Sequence, residues 1–177
     1  MCKECDFAEK LMGYRYPCPK TGQWEFTHKM LIFIGTKFLM NFGCSVVLPE
    51  LSSLNNTGEI PDIFAMKSGY SVVIECKISR ADFAKDRKKV FRRNPEMGMG
   101  QYRYILCPED VINPSDLIGA HENWGLLYVK QNRRIRKIIF PKGNYFSYED
   151  YRFPCNLDAE RSLLASALRR KQAKGEG

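Results

Sequence analysis

The stretch EIPDIFAMKSGYSVVIECKIS, residues 59–79, consists of two short apolar segments joined by Lys-Ser-Gly. Residues 60–66 and 71–77 have the length and composition of strands, and the short link between them predicts an antiparallel hairpin. Each segment nevertheless carries a carboxylate, Asp62 in the first and Glu75 in the second, where water-excluding side chains are expected. The hairpin is therefore the starting point for predicting both the fold and the function.

The segments around this hairpin predict an α/β fold. Four further segments have the β-branched and apolar composition of strands: 44–51, 102–108, 124–130 and 135–141. Helical spacing of apolar residues occurs over 23–43 and near the C-terminus, and Ser79-x-x-Asp82 is a capping-box-like start for a helix that runs to Asn94-Pro95. This order predicts a three-layer α/β/α core with a central mixed sheet and the hairpin at its centre.

Length and composition predict one globular domain with a polyanionic partner. The chain has 177 residues and a net charge of +8, and its basic residues concentrate in 80–93 and 130–142. No apolar run reaches the ~18 residues that a membrane span needs, and residues 1–17 lack the pattern of a signal peptide. We therefore expect a cytoplasmic protein that does not enter a membrane.

Four of the seven cysteines lie in polar or proline-flanked segments, namely Cys2, Cys5, Cys18 and Cys155. The Cys-x-x-Cys pair at the N-terminus and the turn-like YPCPKTG around Cys18 suit a structural Zn²⁺ site. The zinc set is either these four thiols or the first three with His28. Ordinary free thiols are the alternative interpretation.

The carboxylates of the hairpin predict a metal site. Side chains alternate between the two faces of a strand, so Glu75 and Lys77 share one face while Cys76 points to the other. The hairpin returns Asp62 beside Glu75, and two neighbouring carboxylates favour a cation between them. Hard oxygen ligands suit Mg²⁺ or Mn²⁺, and the main-chain carbonyl of Cys76 offers a further oxygen.

A lysine beside such a metal predicts phosphodiester hydrolysis. The Lys77 ammonium would position a metal-bound water, help it lose a proton, or stabilise the charge that develops on phosphorus. The simpler interpretation is that Asp62 caps a turn and that Glu75 and Lys77 form an ion pair on an edge strand. The apolar SVVI before Glu75 and the basic helix after Lys77 favour the metal site.

This arrangement, Pro61-Asp62 followed by Glu75-Cys76-Lys77, resembles the PD-(D/E)xK nuclease superfamily. Residues 75–88, 101–112 and 124–129 are similar to the MmcB-like DNA-repair group within it. The resemblance implies a restriction-endonuclease-like core and Mg²⁺- or Mn²⁺-dependent hydrolysis of DNA. It leaves RNA, the mode of cutting (endonuclease or exonuclease) and a homodimer open.

Carried over by position, the resemblance assigns Asp62 and Glu75 to the metal and Lys77 to the attacking water. Many members of the superfamily add an acid from the first helix. Glu25, in the first turn of the predicted first helix, fits that place, and Glu50, at the end of the first strand, is the alternative. Glu25 would otherwise be an ordinary acid that interacts with the helix dipole. Glu59, beside the Pro-Asp pair, is also near in sequence.

The contacts to nucleic acid are predicted on the basic helix and the loop after it. A polar contact to the scissile region is predicted for Gln101. Backbone phosphates would be held by Arg80, Lys85, Lys88, Lys89 and Arg92.

The predicted domain organisation is an N-terminal Cys-containing extension (1–22), the nuclease-like domain (23–172) and a tail (173–177). Two other functions compete with the nuclease: a non-catalytic nucleic-acid-binding module on the same fold, and a zinc-bearing interaction protein.

Overall fold

The computed structural model describes residues 25–53, 58–140 and 152–175. Within these ranges the α-helices are α1 (His28–Asn41), α2 (Arg80–Asp86), α3 (Val90–Arg93) and α4 (Leu157–Ala173). The strands are β1 (Val46–Pro49), β2 (Ile63–Lys67), β3 (Tyr70–Cys76), β4 (Tyr102–Pro108), β5 (Gly125–Val129) and β6 (Ile135–Ile139). Short 3₁₀ turns lie at Pro95–Met97 and Pro114–Leu117.

The six strands of the described residues form one mixed sheet in the order in which they occur in the chain. β3, β4 and β5 are parallel, whereas β1–β2, β2–β3 and β5–β6 are antiparallel pairs. The predicted α/β fold with a mixed sheet is confirmed. The middle of the sheet is the parallel β3–β4 pair, so the hairpin contributes one central strand and not the whole centre.

The turn of the β2–β3 hairpin sets the register on which the candidate site depends. Ser68 and Gly69 have φ values of 50° and 84°, the two positive angles that a two-residue type I′ turn requires. Because Lys67 then pairs with Tyr70, Ile63 pairs with Ile74. The same register, continued by one residue, places Asp62 across from Glu75.

Helix α1 covers one face of the sheet. Its Leu31 and Leu39 are fully buried in a core that includes Ile63 and Leu106. Gly35 permits the close approach, since a Cβ at this position would lie 2.6 Å from Cδ1 of Ile63 and 3.0 Å from Cδ2 of Leu106. The contact fixes α1 against β2, the strand that begins immediately after Asp62.

The opposite face of the sheet is covered by α2 and α4. Phe83 of α2 packs with Ile105, and Leu163 of α4 packs with Phe64 and Val73. Helices therefore lie on both faces, as the three-layer prediction requires.

The single helix predicted from Ser79 to Asn94 is wrong, because the chain turns between α2 and α3. The amides of Lys88 and Lys89 donate to the carbonyls of Lys85 and Asp86, a tight i→i+3 pattern that ends α2. The break turns α3 so that Arg92 enters the interior. Buried carboxylates are its partners there.

The extension predicted for residues 1–22 lies outside the described residues, together with Cys2, Cys5 and Cys18. No helix in the described part of the chain combines the length and the apolar character needed to cross a bilayer.

Candidate active site

Asp62 stands at the start of β2, at the edge where β3 ends. Its Oδ2 accepts a hydrogen bond from the main-chain amide of Cys76 (2.7 Å) and lies 3.2 Å from Nε2 of His28. Burial by itself raises the pKa of Asp62, but the hydrogen bond from His28, the charge of Lys77 and the Cys76 amide outweigh burial and lower it. Asp62 is therefore an ionised carboxylate, and its side chain keeps 17% of its surface exposed.

His28 is the residue of α1 that reaches this carboxylate. The helix begins at His28 because the hydroxyl of Thr27 accepts from the amide of Met30 and caps the N-terminus. The hydrogen bond to Asp62 raises the pKa of His28, against the opposing effect of burial. The sequence predicted His28 only as a possible zinc ligand, whereas in the structure its imidazole is hydrogen-bonded to Asp62.

Lys77 follows β3 directly and is buried, with 5% of its side chain exposed. Its Nζ lies 3.0 Å from Oε2 of Glu75 and 3.3 Å from Oδ1 of Asp86. Burial lowers the pKa of Lys77, but the charges of Glu75 and Asp86 outweigh burial and raise it above its usual value. The side chain is thus an ammonium ion whose charge is held beside Glu75.

Arg92 closes the same cluster from the interior. Its guanidinium, fully buried, lies 2.9 Å from Oε1 of Glu75, 2.6 Å from Oε1 of Glu59 and 2.8 Å from Oδ2 of Asp86. Burial lowers the pKa of Arg92, but the three carboxylates outweigh burial and raise it. The prediction that Arg92 holds backbone phosphates is wrong, because its guanidinium has no access to solvent.

Glu59 and His121 are further members of this buried cluster. Glu59 Oε2 accepts from the amide of Met99 at 2.6 Å, so Glu59 ties Arg92 to the segment before β4.

His121 Nε2 lies 3.0 Å from Asp86, and its ring packs against Phe83. Burial lowers the pKa of His121, although its hydrogen bond to Asp86 opposes this. No local sequence signal identifies Asp86 or His121, since distant contacts bring them together.

We call this set of side chains the charged cluster: Glu59, Glu75, Lys77, Asp86, Arg92 and His121. Its carboxylates and cations nearly balance, and Lys89 adds one further cation, 2.7 Å from Oδ1 of Asp86. Asp62 and His28 lie at its solvent-facing end.

The predicted fourth acid lies elsewhere than expected. Glu25 precedes Thr27, the N-cap of α1, and so lies outside the first helical turn in which it was predicted. Glu50 is exposed, and its amide donates to the carbonyl of Asp62 at 2.9 Å. A main-chain hydrogen bond therefore holds Glu50 next to Asp62.

Gln101 lies at the other end of the sheet from Glu75, so its predicted contact with the scissile region is wrong. β4 runs parallel to β3, and the residue after Gln101 pairs with Val72. The main-chain amide of Gln101 donates to the hydroxyl of Ser71 at 3.0 Å. Four residues of strand, about 13 Å, separate Ser71 from Glu75.

The remaining predicted phosphate contacts divide into two groups. Arg80 forms a two-pronged ion pair with Asp116, at 2.7 Å for each hydrogen bond, and Lys89 pairs with Asp86. Lys85 and Lys88 are exposed and, within the described ranges, have no ion-pair partner. Only this second group presents unpaired charge to solvent.

The described residues offer little support for zinc. Burial raises the pKa of Cys155 to about 12, so the side chain is a thiol and not the thiolate that zinc prefers. No group of three or more His, Cys, Asp or Glu side chains in the described part of the chain is arranged to hold a metal ion.

Comparisons with known proteins report the fold and no activity. No protein-family model and no curated protein matches the chain. A solved structure, the SPO1766 protein of unknown function from Silicibacter pomeroyi, is similar to it with a TM-score of 0.55. The identity is 22%, and the match covers 84% of this chain and 91% of that chain. At this identity the similarity shows that the two chains share the α/β fold.

Proposed function

We propose that this protein is a metal-dependent phosphodiesterase that cleaves DNA. The observation that carries the proposal is the convergence of Asp62, Glu75 and Lys77 at the edge where β3 ends. Open α/β sheets bind ligands outside the carboxyl ends of their parallel strands, which is where these side chains lie. The resemblance of the Pro-Asp and Glu-x-Lys motifs to PD-(D/E)xK nucleases supports the same chemistry.

The carboxylates fit a hard divalent ion in donor type and number. Mg²⁺ in nucleotide-processing sites is commonly bound through one or two carboxylates, with water and substrate phosphate completing its shell. Asp62 and Glu75 would supply those carboxylates; Asp62 keeps 17% of its side chain exposed, whereas Oε1 of Glu75 is paired with Arg92 and Oε2 with Lys77. When bound, such an ion supplies an acidified water and charge stabilisation at the phosphate. Lys77 would compete with the metal ion for Glu75, since its ammonium already neutralises that carboxylate.

The surrounding residues hold the reacting groups in place. His28 and the Cys76 amide fix the carboxylate of Asp62, and Arg92 fixes that of Glu75. Against the effect of burial, the charges of Glu75 and Asp86 raise the pKa of Lys77, and its ammonium is suited to stabilise negative charge on the phosphate.

DNA as the substrate follows from the charge of the protein and from the resemblance. The net charge is +8. Lys85 and Lys88, near the C-terminal end of α2, have no ion-pair partner among the residues that the structure describes. Such contacts to phosphates position a nucleic acid without reading its sequence.

One observation favours a second function, a non-catalytic nucleic-acid-binding module. Both oxygens of Glu75 face cations, Lys77 at 3.0 Å and Arg92 at 2.9 Å, so its negative charge is already compensated. If no metal displaces Lys77, the fold retains its basic surface but does not cleave.

A cleavage panel separates the two functions. Plasmid, single-stranded DNA and RNA are incubated with Mg²⁺ or Mn²⁺ and with wild-type, Lys77→Ala or Lys174→Ala protein, the last removing an exposed lysine that follows α4. We expect metal-dependent cleavage of DNA by the wild type and Lys174→Ala, and its loss in Lys77→Ala. Intact substrates with every protein, together with retained DNA binding, establish the non-catalytic module instead.

A further inference from the structure

A groove of about 860 Å³ lies between α1 and the turn that joins β5 to β6. One wall is a stripe on α1, formed by Lys29, Phe33 and Lys37. The other wall contains Arg133 and Arg134 from the turn. We call this feature the α1 groove; the charged cluster does not include any of these residues.

The stripe on α1 alternates cation and aromatic ring at regular intervals. Lys29, Phe33 and Lys37 are four residues apart, so they lie on one face of the helix, about 6 Å apart along its axis. Phe33 leaves 63% of its surface exposed, and Nζ of Lys37 lies 5.8 Å from the centre of its ring. A large ring held open to solvent between two cations serves no packing purpose within the described fold.

The floor of the groove is apolar, although its rim is charged. Ile34, Phe38 and Ile135 lie along the floor, each only partly buried. An apolar floor beneath a cationic rim suits a ligand that has flat apolar faces and regularly spaced negative charges.

The charged side chains that line the groove are all basic. Among the described residues of the lining, none is acidic. Lys29, Lys37 and Arg134 have no ion-pair partner in the described part of the chain, in contrast to surface arginines elsewhere, such as Arg80 with Asp116. Positive charge concentrated in a cleft attracts a polyanion.

The α1 groove reaches the same edge of the sheet as the candidate active site. Ile135 pairs with Val129 at the carboxyl end of β5, and β5 is parallel to β3, which ends at Cys76. At the α1 side, Lys29 directly follows His28, whose Nε2 is 3.2 Å from Asp62. A strand lying in the groove would therefore end beside His28 and Asp62, both of which are partly exposed.

We propose that the α1 groove binds a single-stranded segment of DNA and delivers it to Asp62, Glu75 and Lys77. Unpaired bases stack on Phe33 and cover the apolar floor, while phosphates lie against the lysines and arginines of the rim. A duplex presents no free base faces, so the floor favours an unpaired strand. Delivery to the carboxylates rests on the proposed function, whereas binding in the groove does not.

The test measures binding of a fluorescently labelled oligonucleotide by anisotropy, in EDTA, so that metal binding and cleavage play no part. Single-stranded and duplex forms are titrated over several salt concentrations. Two matched pairs of full-length variants are compared. Phe33→Ala is paired with Leu168→Ala, since Leu168 of α4 is equally exposed at 62%. Lys37→Glu is paired with Lys174→Glu, which changes the net charge by the same amount.

We expect Phe33→Ala to weaken single-strand binding by about five-fold or more, the lower end of the stacking contribution of one base. Lys37→Glu should weaken it too and lower the salt dependence, by about 0.7 in log–log slope for each phosphate that the variant no longer binds. The Leu168 and Lys174 variants should bind like the wild type. Circular dichroism confirms that each variant is folded.

The outcomes that overturn the proposal are distinct from failure of the nuclease. Equal weakening by Lys37→Glu and Lys174→Glu assigns the electrostatic contribution to net charge alone, and equal binding by Phe33→Ala and Leu168→Ala excludes stacking of bases on Phe33. Binding of an acidic amphipathic peptide, lost in Phe33→Ala, without single-stranded DNA binding identifies the groove as a protein-docking site. If the groove variants lose single-strand binding but the wild type cleaves no substrate, the proposed binding in the α1 groove is supported. Only the proposed cleavage is then contradicted.

Discussion

Two buried polar clusters lie at opposite ends of the β3 strand, and they are built in different ways. At its carboxyl end is the charged cluster. At its amino end Glu160 of α4 forms a second cluster with Ser71, Gly100 and Gln101, which we call the Glu160 cluster. Both are almost closed to solvent, with Glu75 2% and Glu160 5% exposed.

The Glu160 cluster satisfies its carboxylate with neutral donors. Oε1 of Glu160 accepts from the hydroxyl of Ser71 and from the amide of Gly100, both at 2.8 Å. The hydroxyl of Ser71 in turn accepts from the amide of Gln101 at 3.0 Å. Such a complete network joins α4 to the start of two strands, which is a structural role.

The charged cluster instead compensates charge with charge. Oε1 of Glu75 pairs with Nη2 of Arg92 at 2.9 Å, and Oδ1 of Asp86 pairs with Nζ of Lys89 at 2.7 Å. Nδ1 of His121 is buried without a hydrogen-bond partner among the described residues. Buried ion pairs are weak evidence for stability, because the cost of removing each charge from water offsets the attraction between the charges. One end of β3 is therefore held by hydrogen bonds from neutral donors and the other by buried ion pairs, and only the second contains the residues of the proposed active site.

The largest expected effect is on the Arg92 side of the charged cluster. Arg92→Met leaves Glu59, Glu75 and Asp86 buried without their shared guanidinium, so we expect the free energy of unfolding to fall by about 3–5 kcal/mol. Urea unfolding followed by circular dichroism measures it. Arg93→Met, the exposed neighbour, is the control and should change stability by less than about 0.5 kcal/mol. Equal stability of the two variants would contradict the role assigned to Arg92.

Lys77→Met should affect metal binding and cleavage in opposite directions. Without the competing ammonium at Glu75, Mn²⁺ should bind more tightly than to the wild type, as measured by calorimetry. Cleavage should fall by about 100-fold or more, since the charge that stabilises the phosphate is lost. Lys174→Met should leave both unchanged. A variant in which metal affinity and cleavage fall together would show that Lys77 does not compete with the metal.

Glu160→Ala should lower stability without affecting chemistry. The Ser71 hydroxyl and the Gly100 amide lose their acceptor, at an expected cost of about 1–3 kcal/mol in the free energy of unfolding. Asp158→Ala, on the exposed face of the same helix, is the control. A lower cleavage rate at a temperature where the variant is fully folded would contradict the division between the two clusters.

The smallest expected effect is the pH dependence of the His28–Asp62 pair. The lowered pKa of Asp62 adds stability above its unfolded value, near pH 4, and this is lost as the pH falls further. The raised pKa of His28 adds stability below its unfolded value, near pH 6.5, and this is lost as the pH rises through the folded value. Wild type should therefore exceed His28→Gln most at about pH 5–6.5, where both contributions are present.

Because the side chain of His28 is 38% exposed, solvent screening limits this difference to under about 1 kcal/mol. Chemical unfolding at several pH values measures it, and Lys29→Gln controls for a change in the first turn of α1. A stability difference that grew above pH 7 would exclude a charged His28–Asp62 pair.

Sequence patterns predicted the parts of the site that depend on local geometry. Alternation along β3 placed Glu75 and Lys77 together, and the Ser68-Gly69 turn set the register that returns Asp62. The strand β4 was predicted with its observed bounds, Tyr102–Pro108. Each of these follows from contacts within or between adjacent segments.

The features that sequence reasoning missed depend on distant contacts. Arg92 is buried because the helix breaks after Asp86, and the break is compensated by ion pairs with Glu59 and Glu75 that no local pattern encodes. The position of Gln101 depends on the parallel pairing of β4 with β3, a contact between distant segments that places Gln101 at the amino end of β3.

The most direct test compares two variants, one at each end of β3, in the same cleavage assay with Mg²⁺. Asp62→Asn removes the carboxylate that we propose binds the metal, at nearly constant volume, and Glu160→Gln makes the equivalent change in the Glu160 cluster. We predict that Asp62→Asn lowers DNA cleavage by about 100-fold or more and that Glu160→Gln retains the wild-type rate. Equal cleavage by both variants would contradict an active site at Asp62, Glu75 and Lys77.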